Sequence, residues 1–548
     1  MPINKNTVMH RGLTAILGIA IFLILLSEFI LNLTPPTARD ALIHHLAIPK
    51  LWLKNGGFYE MPWADFSYFP MNIDLLYMIP LYFQKDFIAN IIHMGFGVGT
   101  AIIIYQYLKN RSDRISGLLG VLIFLSTPIV FRSSTQAYVD LGLVFFSTAS
   151  VFAFIRYRNG GFQEFKWLFI SSLSTGLALG TKYNALVIWF FLTLSIVFIG
   201  SRDTKKQWPS IRMGSIFFLI SLCVFSPWLI KNFMLTGNPL YPLFMGGISP
   251  MIAGENRTGF FQMRELLYGE NFWETLIIPL RIFFQGQDNS TRYFDGVLNP
   301  ILIILSPFAF ANRSFFRDKL FFLSFIIFFI LTVFFLEGKA FGMDQIVRYT
   351  LPVIPFLSIL TVMGMFNVLE RAMKLSLPLR SVLITGLLAI LVLSLSRNMV
   401  YMKNYYQKIT PMSYLSGRET RDEFISRHNS SYESIKYINT HTPENATIRL
   451  VFLAGRGYYL ERKYSEGSVY GIGDMQSLVK AQDKRTFRNV LQSLDCTHLL
   501  IRTDLLEKYL NDNYPPHIRQ TFFRRLGETM EVLYQKNSYM VLRIIPET

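Results

Sequence analysis

A chain of 548 residues that is 51% hydrophobic and only 16% charged, with 50 Phe, falls well below the charged share of about a quarter found in soluble globular domains, which excludes an ordinary water-soluble protein. Its 53 Lys and Arg against 36 Asp and Glu give a formal net charge of +17. These cations are scattered over short loops between apolar runs, so they read as membrane-protein loop charge and not as a nucleic-acid surface. Two cysteines, Cys223 in an apolar run and Cys496 in a polar stretch, make no disulfide framework.

About 20 residues at 1.5 Å rise cross a hydrocarbon core about 30 Å thick. Apolar runs predict about eleven transmembrane helices, near 12–33, 86–108, 114–131, 140–156, 166–181, 184–200, 212–230, 296–311, 320–336, 347–369 and 380–397. The first run follows Lys5, His10 and Arg11, is too long for a signal-peptide core, and shows no small-residue cleavage site around Glu28. It is expected to be a retained span with the N-terminus cytoplasmic, in a multi-pass plasma (inner) membrane protein. Every short loop then facing the cytoplasm is basic: Lys109, Arg111 and Arg114; Arg156, Arg158 and Lys166; Arg202, Lys205, Lys206 and Arg212; Arg313, Arg317 and Lys319; Arg371, Lys374 and Arg380. That is the positive-inside pattern. The apolar segment Met71–Phe83 is laid flat on the outer surface, because counting it as a span would turn the basic 109–114 loop outward.

This topology exposes outside a first loop, 34–85, a tight turn, 132–140, a long loop, 231–295, and everything after about Asn398. The expected division is a membrane domain, 1–397, and a soluble extracytoplasmic α/β domain, 398–548, with helical pieces at Tyr432–Thr440 and Leu505–Leu510 and strands at Ile448–Leu453, His498–Ile501 and Tyr539–Ile544. No internal repeat is visible, which counts against a transporter built from related halves.

Candidate chemistry lies at the outer helix ends. Asp40 follows a Pro35-Pro36 stop and opens Ala41–Leu53, whose Leu42, Leu46, Trp52 and Leu53 predict an amphipathic helix in the headgroup layer. Asp140 ends the turn RSSTQAYVD at the mouth of a span. Each is either a helix N-cap or a working carboxylate. Two carboxylates on one face suit acid–base chemistry or a hard divalent cation. His44, four residues after Asp40, could share a metal ion with it. Four cations also fall on this side: Lys182 in GTKYN, Lys231 after SPWLI, Arg348 in VRYTLPVIPF and Arg132 at the start of the second turn. Together they could ring a phosphate or diphosphate, or each could snorkel to headgroups. GNPLYP (Gly237–Pro242) reads as a rigid turn, and GRGYYLERKYSEG, lacking GxGxxG, as a turn onto a helix.

Several of these segments, RDALIHHLAIPK, SYFPMNIDLLY, TQAYVD, LALGTKYNAL, SPWLIKNFMLTGNPLYP and VRYTLPVIPF, with the tail pieces YESIKYINTHTPENATI and GRGYYLERKY, resemble motifs of the GT-C superfamily of polytopic membrane glycosyltransferases. The likeness is greatest to the bacterial aminoarabinose-transferase and protein O-mannosyltransferase type, family 39. The resemblance implies an α-helical GT-C-like membrane domain with a soluble α/β domain behind it. It implies a sugar moved from a polyprenyl-phosphate or polyprenyl-diphosphate donor to an acceptor on the extracytoplasmic face, with inversion. Asp40 would be the base, Asp140 a second carboxylate, and Lys182, Arg348, Lys231 and Arg132 donor-phosphate contacts. Many members carry an acidic pair where Ala41 follows Asp40 here, which leaves His44 or Asp65 to complete any divalent-metal site. Two competitors remain. A transporter or flippase of lipid-linked saccharides predicts charges deep in spans; an oligosaccharide ligase or polymerase predicts chemistry in the late outer loop, at Arg257, Arg264 and Arg292.

Overall fold

A computed structural model describes residues 7–243, 260–340, 345–481 and 483–546; Lys5, Arg257 and the middle of the 231–295 loop lie outside the described residues. Backbone in hydrocarbon must satisfy its own hydrogen bonds, and a helix does so within one segment. The apolar runs accordingly form α1 (Thr7–Asn32), α4 (Phe87–Arg111), α5 (Arg114–Ser126), α6 (Pro128–Ser134), α7 (Asp140–Asn159), α8 (Phe165–Leu179), α9 (Ala185–Thr204) and α10 (Gln207–Thr236), with α2 (Ala47–Asn55) and α3 (Asn72–Tyr82) in the first loop. Short helices α11 (Phe260–Tyr268), α12 (Phe272–Leu276) and α13 (Ile278–Gln285) precede α14 (Ile301–Ile304), α15 (Phe316–Ala340), α16 (Ile346–Tyr349), α17 (Ile354–Ala372) and α18 (Leu377–Ile409).

Among the described residues eight helices are long and apolar enough to cross a membrane, or nine if the bent pair α5–α6 is one span. Two of the expected spans are short: α8 has 15 residues, about 22 Å of helix at 1.5 Å per residue, and the Ile301–Ala311 segment is shorter still. The 71° bend between α5 and α6 follows from Thr127, which is extended ahead of Pro128, as the residue before proline tends to be. Past the bend, α6 is buried at Pro128–Phe131, Ser133 and Ser134 and leads into the 132–140 turn.

The first loop differs from its expectation in one respect. Ala41–Leu53 is not one amphipathic helix. A π-helical turn, Ala41–His45, precedes α2, and Ala41, Leu42, His44, His45, Ala47, Ile48 and Trp52 are all buried. The segment is therefore covered by protein and does not lie open on headgroups. α3, at 11 residues, is too short to cross; its Ile73 and Tyr77 pack with Leu42, Leu46 and Val139 in one cluster.

α18 runs on to Ile409, so the expected boundary at 397/398 falls inside it. Beyond it come α19 (Pro411–Leu415), α20 (Arg421–His428), α21 (Tyr432–His441), α22 (Ser468–Lys480), α23 (Lys484–Ser493), α24 (Thr503–Asn513) and α25 (Pro516–Thr529), around strands β1 (Thr447–Val451), β2 (Lys463–Glu466), β3 (His498–Arg502), β4 (Met530–Lys536) and β5 (Tyr539–Ile544). The sheet order is β2-β1-β3-β5-β4, parallel among the first three strands and antiparallel from β3 to β5 and β4. Central β3 is apolar on both faces. Leu499 and Ile501 join a core with Phe487 and Phe522, while Leu500 joins Ile435, Ile438 and Val541, as period-2 alternation requires.

The β1–β2 loop clasps this domain to the first loop. The GRGYYLERKYSEG segment runs into β2, not onto a helix. Tyr458 N–H donates to the Leu42 carbonyl at 3.3 Å, Tyr459 Oη donates to the Pro36 carbonyl at 2.6 Å, and Lys50 and Lys54 hold Glu461. Buried Asp86, at the head of α4, accepts from Tyr458 Oη at 3.1 Å and pairs with Arg421. Asp86→Ala orphans both donors and is expected to loosen the clasp by about 1–3 kcal/mol, read as faster amide exchange in residues 452–462 with the bundle helices unchanged. Equal exchange in the two proteins would show that Asp86 does not hold the domain.

Candidate active site

Four of the residues singled out from sequence meet at one point. Asp140 is the first residue of α7 and does not cap it with its side chain; the helix N-terminus favours a carboxylate there. Its Oδ1 accepts from Lys182 Nζ at 2.8 Å and its Oδ2 from Arg348 Nε at 2.9 Å. Nη1 of Arg348 donates to Asp40 Oδ2, and the guanidinium lies 4.4 Å from the Tyr138 ring centroid. Asp40 does not cap the π-helical turn either. Both capping readings are thus replaced by ion pairs.

The quartet balances two carboxylates against two cations and is largely dry: the side chains are 3% exposed at Asp140, 11% at Arg348, 15% at Asp40 and 18% at Lys182. Burying such charges costs about as much as their attraction returns, so the group is poor evidence for a stability device and better evidence for a working site. Burial by itself would raise the Asp40 carboxyl, but Arg348, and then His44, outweigh it and hold it well below the usual carboxylate range. Asp40 is therefore an anion with a cation already at its side.

The elements that present Lys182 and Asp140 are locked. Lys182 sits in the corner between α8 and α9. There Asn72 N–H donates to the Gly180 carbonyl at 2.8 Å, and a Cβ on Gly180 would fall 2.0 Å from Asn72 Nδ2, so only glycine lets α3 approach. Asn72 Oδ1 accepts from Trp228 Nε1 at 2.8 Å. The 132–140 turn is held by Asn32 on the Ser134 carbonyl at 2.9 Å, by Tyr77 on the Tyr138 carbonyl, and by His93. Leu141 N–H donates to His93 Nε2 at 2.9 Å, and His93 Nδ1 reaches the Ser133 carbonyl at 2.9 Å. Those partners fix a neutral imidazole protonated on Nδ1. Sequence reasoning missed Tyr138, His93 and Asn72. The signal for His93 was there, since an ionisable residue inside an apolar run is a functional or structural marker.

Residues 77–230 match the family model described as dolichyl-phosphate-mannose-protein mannosyltransferase. Among curated proteins none matches the sequence. In three dimensions the chain is similar to ArnT from Cupriavidus metallidurans bound to undecaprenyl phosphate, at 14% identity and TM-score 0.56, over 96% of this chain and 98% of that one. The same protein in its apo state gives 14% identity and TM-score 0.56 over 97% and 98%. The apo oligosaccharyltransferase of Archaeoglobus fulgidus gives 13% identity and TM-score 0.50, over 88% of this chain and 69% of that one. The chain has the GT-C fold. The likeness read from the motifs is shown at the level of fold.

Within this GT-C frame the other candidates go elsewhere. Lys231 donates to the Ser67 carbonyl and lies over Trp228, 4.9 Å from its centroid; it pins the first loop to α10 and is not part of the quartet. Arg132 is neutralised by Asp288 at 2.9 Å and Asp295 at 2.8 Å, and it lines a cavity of about 420 Å³ with Arg39, Gln136, Tyr138 and Lys408. His44 stacks on Phe66 with centroids 4.1 Å apart. Its neighbour His45 bonds Asp74 through Nδ1 at 2.7 Å, and burial lowers the first and raises the second, so the pair is neutral. Asp65 heads a 3-10 turn, exposed. No group of three metal-ligating side chains occurs among the described residues, and the Asp40 and Asp140 carboxylates are already occupied by Arg348 and Lys182. This donor set does not fit the Asp40–His44 metal site considered from sequence. In the late loop, Arg264 is fully buried and held by Glu270 at 2.8 and 2.9 Å and by the Arg292 carbonyl, an arrangement that holds the fold.

Proposed function

We propose that the protein is a membrane glycosyltransferase that moves a sugar from a polyprenyl-phosphate or polyprenyl-diphosphate donor to an acceptor on the extracytoplasmic face, with the N-terminus cytoplasmic and residues beyond α18 outside. The observation that carries this reading is Arg348 bridging Asp40 and Asp140. Support comes from the ArnT likeness, since that structure is bound to undecaprenyl phosphate, and from the dolichyl-phosphate-mannose family match.

The chemistry follows from charge. The anomeric carbon–oxygen bond to phosphate breaks and its electron pair leaves with the phosphate, while the acceptor hydroxyl oxygen bonds to the opposite face of that carbon. Attack from that opposite face inverts the anomeric centre, and the hydroxyl proton passes to Asp40. Developing charge on the phosphate calls for a preorganised cation, and Arg348 offers a planar fork suited to it. A phosphate that draws on Arg348 weakens its hold on Asp40, so the carboxylate becomes more basic as the proton arrives. Asp140 is the positioning residue that keeps Arg348 and Lys182 aimed. A transporter reading has no comparable use for an anion whose cation is shared in this way.

The test is mass spectrometry of envelope glycans and glycoproteins from cells carrying the wild-type protein or Asp40→Asn. One sugar decoration is expected to vanish; a stable, inserted variant that leaves every decoration intact would end this reading. Lys231 gives a control. Its hydrogen bond to loop backbone is worth about 0.5–1.5 kcal/mol, so Lys231→Gln is expected to lower transfer by no more than about tenfold. A complete loss would return Lys231 to the site.

A further inference from the structure

Arg39, next in sequence to Asp40, borders two cavities. One is the roughly 420 Å³ space shared with Arg132, Tyr138 and Lys408 at the end of the helical bundle. The other, of about 430 Å³, is walled by the C-terminal domain, where Arg456, Arg502, Lys508 and Tyr509 join Arg39. Building on the transferase reading, we propose that this second cavity is an anion site that seats the acceptor, a phosphate-bearing saccharide, with Arg456 as its principal contact.

The Arg456 side chain makes no hydrogen bond or ion pair with the described residues, and its Nε is buried without a partner. Placing a guanidinium in a protein wall with nothing to pair with is costly, and neighbouring cations add to the cost. Burial, and then Arg39, lowers its pKa. An arriving phosphate removes both penalties through charge-assisted hydrogen bonds. The local backbone points the same way. Phe452, Ala454 and Gly455 all have positive φ, at 62°, 53° and 72°, and left-handed non-glycine residues persist where surrounding structure holds them for a purpose. Acid does not cancel the cluster: Arg502 is the member with a partner, Asp504, and Asp512 is the acidic residue on the wall. Phe452, Tyr509 and Tyr539 supply apolar ring faces beside polar edges, as a sugar needs, and the volume falls within the range of about 300–1,000 Å³ typical of small-molecule sites. Arg39, one residue from Asp40, thus lines both cavities.

The experiment uses the full-length protein in nanodiscs and titrates glucose 1-phosphate, inorganic phosphate and methyl glucoside. Glucose 1-phosphate is expected to bind more tightly than inorganic phosphate, and methyl glucoside not at all. Arg456→Gln should weaken glucose 1-phosphate by about tenfold or more, and Arg456→Lys should stay within about threefold of wild type, as a point charge that keeps the attraction. Because the Arg456 side chain bonds nothing among the described residues, its replacement leaves the fold intact. Unchanged binding by Arg456→Gln overturns the proposal, and so does inorganic phosphate binding as tightly as the sugar phosphate, which would mark an adventitious ion only. Asp40→Asn, which removes a negative charge acting on Arg456, is expected to bind glucose 1-phosphate at least as tightly as wild type, so a failure of the transferase reading registers separately from a failure of this one.

Discussion

Asp40→Asn is expected to lower transfer by about 10²–10⁴-fold, the range for loss of a positioned base, while the protein still inserts and folds. The amide keeps the size of the carboxylate and can still accept a hydrogen bond from Arg348 through its oxygen, but it cannot take up a proton. Removing the Asp40 charge leaves Arg348 paired through Nε to Asp140, so no buried cation is stranded. Asp40 also has the second-largest exposure in the quartet, at 15%, and the Tyr138 hydroxyl stays within 3.5 Å of its backbone N–H. Activity and stability therefore separate at this position. The measurement is transfer from a radiolabelled lipid-linked sugar in proteoliposomes, with thermal unfolding run alongside. Transfer within tenfold of wild type, from a variant of normal stability, would remove Asp40 from the chemistry. The same change at Asp140 is expected to be a different experiment, because Asp140 holds two cations and only 3% of its side chain is exposed.

The sequence pointed to the quartet through cost. A charge at a helix end beside hydrocarbon is expensive, and Asp40, Asp140, Lys182 and Arg348 each stood out on that ground. What cost does not reveal is partnership. Lys231 and Arg132 have the same signature, yet one holds the Ser67 carbonyl and the other is taken by Asp288 and Asp295; those partners come from loops whose path no periodicity encodes. The π-helical turn at Ala41–His45 was hidden for a related reason. A pattern of apolar residues at helical spacing does not distinguish a regular helix from one widened by a turn, and here the widening sits where both His44 and His45 are buried. In the C-terminal domain the legible strands were β1, β3 and β5, the three inner strands of the sheet. β2 (KYSE) and β4 (MEVLYQK) are its edges. Edge strands carry charge that deters pairing with other chains, and that charge erases the apolar signal used to find them.

Arg348→Gln is expected to be the most damaging single change, because it removes phosphate-facing charge and leaves two buried carboxylates short of a partner. Breaking a buried pair in this way costs about 3–5 kcal/mol. Lys182 still serves Asp140 and Asp40 is partly open to solvent, so the lower end of that range applies. The pH profile supplies the sharper readout. Burial is the largest influence on the Asp40 carboxyl and it raises the pKa; Arg348 is the largest influence that lowers it. With Arg348 gone, burial prevails and the pKa moves upward. A base works only when deprotonated, so the rate falls as pH drops through its pKa. The acid limb of kcat/KM should therefore shift to higher pH in whatever activity survives. Arg348→Lys should shift it less, since one ammonium keeps the charge but cannot fork between two carboxylates. Combining Arg348→Gln with Asp40→Asn should restore part of the lost stability, because the stranded anion is gone, and that non-additivity measures the bridge directly. An acid limb and an unfolding temperature both unmoved by Arg348→Gln would mean that the guanidinium does not govern Asp40, and the shared-cation mechanism would go with it.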